Sequence, residues 1–128
     1  DAPDNATTRA QLWTILARQN DADLSGGGSW YEKAQTWAKA NGISDGTAPE
    51  GTINRAQMVT MLYRAAGSPA VEGASAFTDI SADSYYAKAA AWAAKNGITA
   101  GVGNGRFDPN GTCTRGQIAT FLWRAMAE

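Results

Sequence analysis

Thr8-Arg9-Ala10-Gln11 returns twice along the chain, as Asn54-Arg55-Ala56-Gln57 and as Thr114-Arg115-Gly116-Gln117. The apolar positions after each copy repeat as well; they are Leu12, Ile15 and Leu16, then Met58, Met61 and Leu62, then Ile118, Phe121 and Leu122. A repeat this regular indicates one structural unit that the chain uses several times.

Each copy has the pattern of a helix start. A Thr or Asn followed three residues later by Gln can form a capping box, in which each side chain bonds the other residue's backbone amide. We therefore predict helices over about residues 9–19, 55–66 and 115–127. A further helix is predicted from about Trp30 to Ala40, and Asn41-Gly42-Ile43 has the residues of a glycine C-terminal cap.

The arginine of each copy falls at the first helical position, at Arg9, Arg55 and Arg115. A cation there opposes the helix dipole. Because the same unfavourable placement occurs three times, we interpret these arginines as binding residues. Two partners remain open: an external ligand, or a carboxylate of the protein itself.

The segments between the arginine-led helices also repeat. Tyr85-Tyr86 corresponds to Trp30-Tyr31, and Asn96-Gly97-Ile98 corresponds to Asn41-Gly42-Ile43. One unit is thus a helix that begins with an aromatic pair, a glycine-rich loop and an arginine-led helix. We expect a single module over residues 1–128, with a half repeat at 8–20 and whole repeats at 23–66 and 77–127.

Composition argues against several functions. The net charge of −1 gives no basic field for nucleic acid, and no apolar run approaches the roughly 20 residues of a membrane span. The chain has no histidine, which removes the commonest general base and the serine–histidine and cysteine–histidine dyads. We expect no enzyme and no cofactor. A glycosidase-type carboxylate pair among the 12 acidic residues is the remaining enzymatic alternative.

Several single residues have simpler interpretations. Cys113 stands where the second copy has Ile53, so we predict a buried apolar side chain. Asp45, Asp79 and Asp108 lie in predicted loops and are interpreted as turn or cap residues.

The third unit resembles an S-layer homology (SLH) repeat, on motifs that occur in order: Phe77-Thr78-Asp79-Ile80, Tyr85-Tyr86, Trp92-Ala93, Asn96-Gly97-Ile98, Gly105-Arg106-Phe107-Asp108-Pro109 and Thr114-Arg115-Gly116-Gln117. The middle unit resembles it through Asp23-Leu24-Ser25, Trp30-Tyr31, Trp37-Ala38, Asn41-Gly42-Ile43 and Asn54-Arg55-Ala56-Gln57. The resemblance implies a mainly α, pseudo-threefold module of helix-loop-helix repeats around a central three-helix bundle, with the first repeat incomplete.

The resemblance also implies a function and a place. SLH repeats hold bacterial surface proteins non-covalently on the cell wall, outside the cell, by binding anionic and often pyruvylated secondary cell-wall polysaccharide in grooves between repeats. A guanidinium fork suits a carboxylate, and aromatic rings can lie against sugars. The candidate ligand-binding residues are Arg9, Arg55, Arg115, Trp30, Tyr85, Gly103 and Asn104.

The chain departs from the family pattern in two ways. Gln replaces the usual Glu in all three copies of the phrase, which removes a negative charge beside the predicted grooves. The middle unit has the short loop Thr47-Ala48-Pro49-Glu50-Gly51 in place of the Gly-x-Phe-x-Pro segment, which puts the activity of its groove in doubt.

Two alternatives compete with polysaccharide binding. Asp21, Asp23, Ser25 and Glu32 have the spacing of an EF-hand calcium loop, although the same stretch aligns with a part of the third unit that has no such pattern. The half repeat also suggests a protein–protein adhesion or assembly module that another chain completes, with self-association through the incomplete first repeat.

Overall fold

A computed structural model describes residues 5–73 and 75–126. Over these ranges the chain is mainly helical, and isolated bridge pairs take the place of strands. The five helices are α1 Arg9–Gln19, α2 Glu32–Ala40, α3 Arg55–Ala65, α4 Ala87–Lys95 and α5 Arg115–Met126. The predicted mainly α class is confirmed. Helix α2 starts two residues later than predicted, because Trp30 and Tyr31 form a turn in front of it.

The arginine-led helices start as their sequence predicts. Thr8 and Gln11 form a complete capping box, and Asn54 with Gln57 forms a second one. In the third copy the Thr114 hydroxyl accepts the Gln117 amide at 3.2 Å, and the Gln117 side chain accepts the Thr114 amide at 2.9 Å. Each box satisfies two backbone donors that the first turn would otherwise leave unpaired.

Helices α2 and α4 end at glycine caps, as predicted. Gly42 and Gly97 both have φ of 69°, the left-handed region that favours glycine. The following isoleucine amides then bond back onto the helix, from Ile43 to Ala38 at 2.9 Å and from Ile98 to Ala93 at 2.8 Å. These two caps turn the chain into the loops that follow each helix.

The closest helix pairs are α1 with α2 and α3 with α4. Small side chains make close approach feasible, and the buried alanines of the covering helices are Ala34 and Ala38 in α2 and Ala89, Ala90, Ala91 and Ala93 in α4. Helix α2 makes the closest approach to α1, and Leu16 of α1 also lines one pocket with Leu62 of α3 and Leu122 of α5. Helix α5 has no equally close helix within the described part of the chain.

A ring of backbone hydrogen bonds joins the residues just before the three arginine-led helices. The Thr7 amide donates to the Cys113 carbonyl at 3.1 Å, Cys113 donates to Ile53 at 3.0 Å, and Ile53 donates to Thr7 at 3.1 Å. All three residues are buried. The ring therefore fixes the starts of α1, α3 and α5 relative to one another.

Each arginine-led helix also donates its first backbone amide to a loop elsewhere in the chain. The bonds are Arg9 to Gly51 at 2.9 Å, Arg55 to Gly111 at 2.8 Å and Arg115 to Asn5 at 2.9 Å. Since these amides have no partner within their own helices, the loops complete the helix starts. The side chains of Arg9 and Arg55 reach the same loops, at the carbonyls of Thr47 and Phe107.

Cys113 is fully buried, as predicted, among the core residues. Burial raises the pKa of its thiol to about 11. The thiol is therefore neutral at physiological pH, and it packs as a small apolar group.

Candidate anion-binding groove at Arg9

Arg9 reaches from the first turn of α1 to the loop that follows α2. Its Nε donates to the Thr47 carbonyl at 2.7 Å, and its Nη2 donates to the Ser44 hydroxyl at 3.2 Å and to the Asp45 carboxylate at 3.0 Å. The Arg9 side chain is 12% exposed and that of Asp45 is 70% exposed. Arg9 therefore has an internal ion pair, and its carboxylate partner faces solvent.

A pocket of about 220 Å³ lies beside this ion pair. Its walls come from the first turn of α1, from the loop after α2, from the side of α3 and from Tyr85 before α4. The residues that matter for its chemistry are Arg9, Ser44, Asp45, Thr60, Arg64 and Tyr85. We call this pocket the Arg9 groove. It is smaller than the roughly 300–1,000 Å³ of pockets for drug-sized ligands, so it suits a single sugar-sized group.

The charges in the Arg9 groove are two guanidinium groups and one carboxylate. Arg64, from the last turn of α3, donates to the Ile43 carbonyl at 3.3 Å and also lines the groove. Asp45 accepts the Thr47 amide at 3.0 Å and the Thr47 hydroxyl at 2.7 Å. These bonds, more than Arg9 itself, lower the pKa of Asp45. Asp45 is thus ionised at neutral pH, and the groove keeps one excess positive charge.

The two candidate aromatic residues lie in different places. Tyr85 lines the Arg9 groove and is 61% exposed, with its ring edge-on to Tyr86 at 5.0 Å between centroids. Trp30 has the equivalent place before α2, edge-on to Tyr31 at 5.4 Å and 65% exposed. Trp30 does not line the Arg9 groove. Only Tyr85 is positioned to contact a ligand held by Arg9.

Arg55 shares the first contact of Arg9, and both guanidinium groups lie near an aromatic ring, that of Arg9 at 5.8 Å from the ring centre of Trp13. The Nε of Arg55 donates to the Phe107 carbonyl at 2.7 Å, and its guanidinium carbon lies 4.7 Å from the ring centre of Phe107 and 5.4 Å from that of Phe121. Arg55 is 6% exposed, and its Nη2 has no hydrogen-bond partner among the described residues. Burial lowers its pKa. The contacts of Arg55 hold a loop in place, and they leave the guanidinium away from solvent.

Arg115 is half-buried and lines a different pocket, of about 130 Å³, with Thr7, Ile15, Ile118 and Leu122. The walls of this pocket are mainly apolar. The structure therefore does not gather the three arginines into one site.

Gly103 and Asn104 form an exposed turn, with φ of 109° and 55°. The Arg106 amide donates to the Gly103 carbonyl at 3.0 Å and closes the turn, as its Gly-Asn-Gly sequence predicts. The base of the turn is held by the Asp79 carboxylate, which accepts the amides of Phe107 and Asp108 at 2.8 Å each. Neither Gly103 nor Asn104 lines the Arg9 groove.

The calcium-type loop does not gather its acidic residues. The Asp23 carboxylate accepts the Ser25 amide at 3.0 Å and the Ser25 hydroxyl at 2.6 Å, while Glu32 accepts the Gly28 amide at 2.8 Å. Asp21 is exposed, with φ of 57°. Over residues 5–73 and 75–126, no three acidic or cysteine side chains come together as metal ligands would. The carboxylates bond their own loop instead.

The sequence did not identify Ser44, Asp45 and Arg64 as groove residues. Asp45 was interpreted as a turn residue, which its bonds to Thr47 confirm, but it also contacts Arg9. The available signal was the position of Ser44-Asp45 directly after the Asn41-Gly42-Ile43 cap. The Arg9 groove lies at the short loop of the middle unit, which includes Thr47. That loop lacks the Gly-x-Phe-x-Pro segment of the family pattern, so the activity of this groove was in doubt.

None of the helices in the described part of the chain combines the length and apolar character needed to cross a bilayer. Residues 76–119 match the family model described as the S-layer homology domain. A relative described as a cell surface protein of Thermoanaerobacter kivui is 34% identical over 92 residues, which cover 67% of this chain and 12% of that protein. The chain thus spans a small part of its relative. The matched region runs from the loop before α4 to the first turns of α5, where the motifs are densest, and this region belongs to the S-layer homology family.

Proposed function

We propose that this chain anchors a protein to the bacterial cell surface by binding an acidic cell-wall polysaccharide in the Arg9 groove. The family match and the similarity to a cell surface protein support a surface location and a general anchoring role. A non-catalytic role is consistent with this family. The ligand, its acidic group and the groove that holds it are the specific parts of the proposal.

The observation that carries the proposal is the composition of the Arg9 groove. Two guanidinium groups and one solvent-exposed carboxylate line the groove, together with Ser44 and Thr60. A ligand carboxylate, such as that of a pyruvylated sugar, can take charge-assisted hydrogen bonds from the Arg9 fork. The exposed ring of Tyr85 then offers an apolar surface to the sugar.

The ligand contacts are divided unevenly among the candidate residues. Arg9 and Tyr85 contact the bound sugar, whereas Arg55 supports the loop that carries Phe107. Arg115, Trp30, Gly103 and Asn104 lie outside the groove and are candidate contacts for a polymer that continues past it. Since one small site binds weakly, retention on the wall depends on several such sites engaging one polymer.

The proposed module is pseudo-threefold, with units arranged around α1, α3 and α5 as a central three-helix bundle and with one unit incomplete. The closed ring through Thr7, Ile53 and Cys113 supports this arrangement, because equivalent residues exchange equivalent bonds. The three equivalent hydrogen bonds from the first backbone amides of α1, α3 and α5 also support this arrangement. On this basis residues 1–128 form one module.

Sedimentation with purified cell walls tests the function. We expect the chain to pellet with native walls and to stay largely in solution with walls from which pyruvyl groups have been removed. Excess calcium or a chelator should leave this partition unchanged. Equal pelleting with both wall preparations would contradict recognition of the acidic group, and no pelleting with native walls would contradict polysaccharide anchoring.

A further inference from the structure

Four asparagines of the chain are each followed by glycine, and the fold treats these pairs differently. In such a pair the glycine backbone nitrogen can attack the asparagine side-chain amide, because glycine has no side chain to block the approach. The pairs are Asn41-Gly42, Asn96-Gly97, Asn104-Gly105 and Asn110-Gly111. The attack needs a free backbone amide and a free side-chain amide, so the hydrogen bonds of each pair decide whether it reacts.

The glycine amide is engaged in three of these pairs. Each donates to the backbone carbonyl three residues earlier, at 3.1–3.2 Å; the bonds are Gly42 to Lys39, Gly97 to Ala94 and Gly111 to Asp108. In two of the pairs the asparagine side chain is also held. Asn41 Nδ2 and Asn96 Nδ2 each donate to the carbonyl four residues earlier, at 2.8 Å. The chain must open locally at these pairs before the nitrogen can reach the side chain.

Asn104-Gly105 differs in both respects. The pair forms the tip of a two-residue turn with positive φ at both positions, 55° and 72°, which is the hairpin turn that Asn-Gly favours. Both residues are exposed. Over the described residues, neither the Gly105 amide nor the Asn104 side chain makes a hydrogen bond. The outer residues close the turn instead, through the bond from the Arg106 amide to the Gly103 carbonyl at 3.0 Å.

We propose that Asn104 is a site of spontaneous deamidation in the folded protein. The Gly105 backbone nitrogen attacks the side-chain carbonyl carbon of Asn104 and forms a nitrogen–carbon bond. The bond from that carbon to the side-chain nitrogen breaks, and this nitrogen leaves as ammonia with the proton of the Gly105 amide. Water then opens the resulting succinimide ring at either carbonyl carbon, which leaves aspartate or isoaspartate at this position.

Either product changes the exposed tip of the turn. Both carry a new carboxylate, which adds one negative charge to a chain of net charge −1. The isoaspartate product also lengthens the backbone of the turn by one atom, so the bond between Arg106 and Gly103 cannot keep its geometry. The base of the turn lies outside the altered segment, where Asp79 accepts the amides of Phe107 and Asp108 at 2.8 Å each. We therefore expect a local change without unfolding of the chain.

Ageing of the native chain in mildly alkaline buffer tests this site. The aged protein is digested with an acid protease, which limits deamidation during handling, and fragmentation mass spectra follow each pair separately. We expect deamidation at Asn104 to be about tenfold or more faster than at Asn41 and Asn96, where two hydrogen bonds must open first. In urea, which removes the fold, the four pairs should react at similar rates.

The matched variant is Asn104→Gly, because glycine keeps the positive φ of the turn and has no side-chain amide. Anion-exchange chromatography should resolve a more acidic form of the aged wild-type chain, and this form should not accumulate in Asn104→Gly. Circular dichroism of the variant shows that the fold is retained.

Three results would overturn the proposal. The first is deamidation of the folded chain that is as fast at another pair as at Asn104. The second is a preference for Asn104 that persists unchanged in urea, because the local sequence and not the fold would then cause it. The third is an acidic form that accumulates equally in Asn104→Gly. None of these measurements uses cell walls, so their outcome is independent of the proposed anchoring role.

Discussion

The carboxylate of Asp45 lies 3.0 Å from Nη2 of Arg9, within the groove that we propose for an acidic sugar. The corresponding residue of the third unit, directly after Ile98-Thr99, is Ala100. The pair is therefore a property of the Arg9 groove and not of every unit. An external carboxylate must share Arg9 with Asp45 or displace it, so Asp45 opposes the binding of an anionic ligand.

Removing the Asp45 charge should strengthen polymer binding. Asp45→Asn keeps an oxygen acceptor for the Thr47 amide and removes the negative charge that competes with a ligand carboxylate for Arg9. Because exposed ion pairs are worth little, we expect affinity for an acidic wall fragment to rise by about 2- to 5-fold, by calorimetry at low salt. Asp83→Asn, an exposed loop acid outside the groove, is the matched control. Weaker binding by Asp45→Asn would mean instead that Asp45 positions Arg9 for the ligand.

Arg55 and Arg9 should differ in their effect on stability. Arg55→Ala leaves the Phe107 carbonyl unpaired and opens a cavity between Phe107 and Phe121, so we expect a loss of about 2–4 kcal/mol in the free energy of unfolding. Arg9→Ala removes contacts at the edge of a groove and should cost about 1 kcal/mol. Urea denaturation of both variants measures the difference. Equal losses would show that Arg9 is as structural as Arg55.

Gly101 should tolerate a side chain far less than Gly97. Both have positive φ, 85° and 69°, so a strain of about 1 kcal/mol is common to the two alanine variants. A Cβ at Gly101 would also strike the Arg106 carbonyl and the Phe77 ring, whereas a Cβ at Gly97 meets nothing within 4 Å. We therefore expect Gly101→Ala to unfold at markedly lower temperature than Gly97→Ala. Equal melting temperatures of the two variants would contradict the close approach of the Arg106 carbonyl and the Phe77 ring to Gly101.

Cys113 should resist thiol reagents until the protein unfolds. It is fully buried, and burial raises its pKa to about 11, so little thiolate forms in the folded state at pH 8. Labelling with a disulfide reagent should be slow in buffer and fast in denaturant. Rapid labelling of the folded chain would contradict a closed backbone ring around this residue.

The same pKa shift predicts a pH dependence of stability. The folded chain holds the thiol proton more tightly than the unfolded chain, so this contribution is complete below about pH 9 and is lost as the pH rises toward 11. Its size is about 2–3 kcal/mol. Cys113→Ala isolates it, since the variant should lack this part of the decline. Parallel decline in both proteins would mean that other groups cause it.

Much of the local structure follows from short sequence patterns. The capping boxes at Thr8, Asn54 and Thr114 and the glycine caps at Gly42 and Gly97 depend on residues within a few positions of one another. Such contacts form wherever the helix itself forms, because both partners lie within a few residues of the helix end. The burial of Cys113 followed from its correspondence with Ile53, because equivalent positions in a repeat have equivalent surroundings.

The contacts between units could not be predicted in the same way. Arg9 and Arg55 have the same local sequence, yet one borders a groove and the other lies between two phenylalanine rings. The difference arises in loops 36 to 52 residues away along the chain, where Thr47 corresponds to Phe107. The sequence likewise gave no sign that α2 covers α1. These features depend on which segments pack against one another in the folded chain. The periodicity of apolar residues does not predict that packing.

The most direct test is retention of the Arg9→Gln variant on native cell walls, compared with Lys33→Gln, which removes an exposed charge on α2 away from the groove. Loss of charge-assisted hydrogen bonds should weaken binding by about tenfold or more for Arg9→Gln and leave Lys33→Gln unchanged. Circular dichroism should show both variants folded. Wild-type retention of a folded Arg9→Gln protein would contradict the Arg9 groove as the anchoring site.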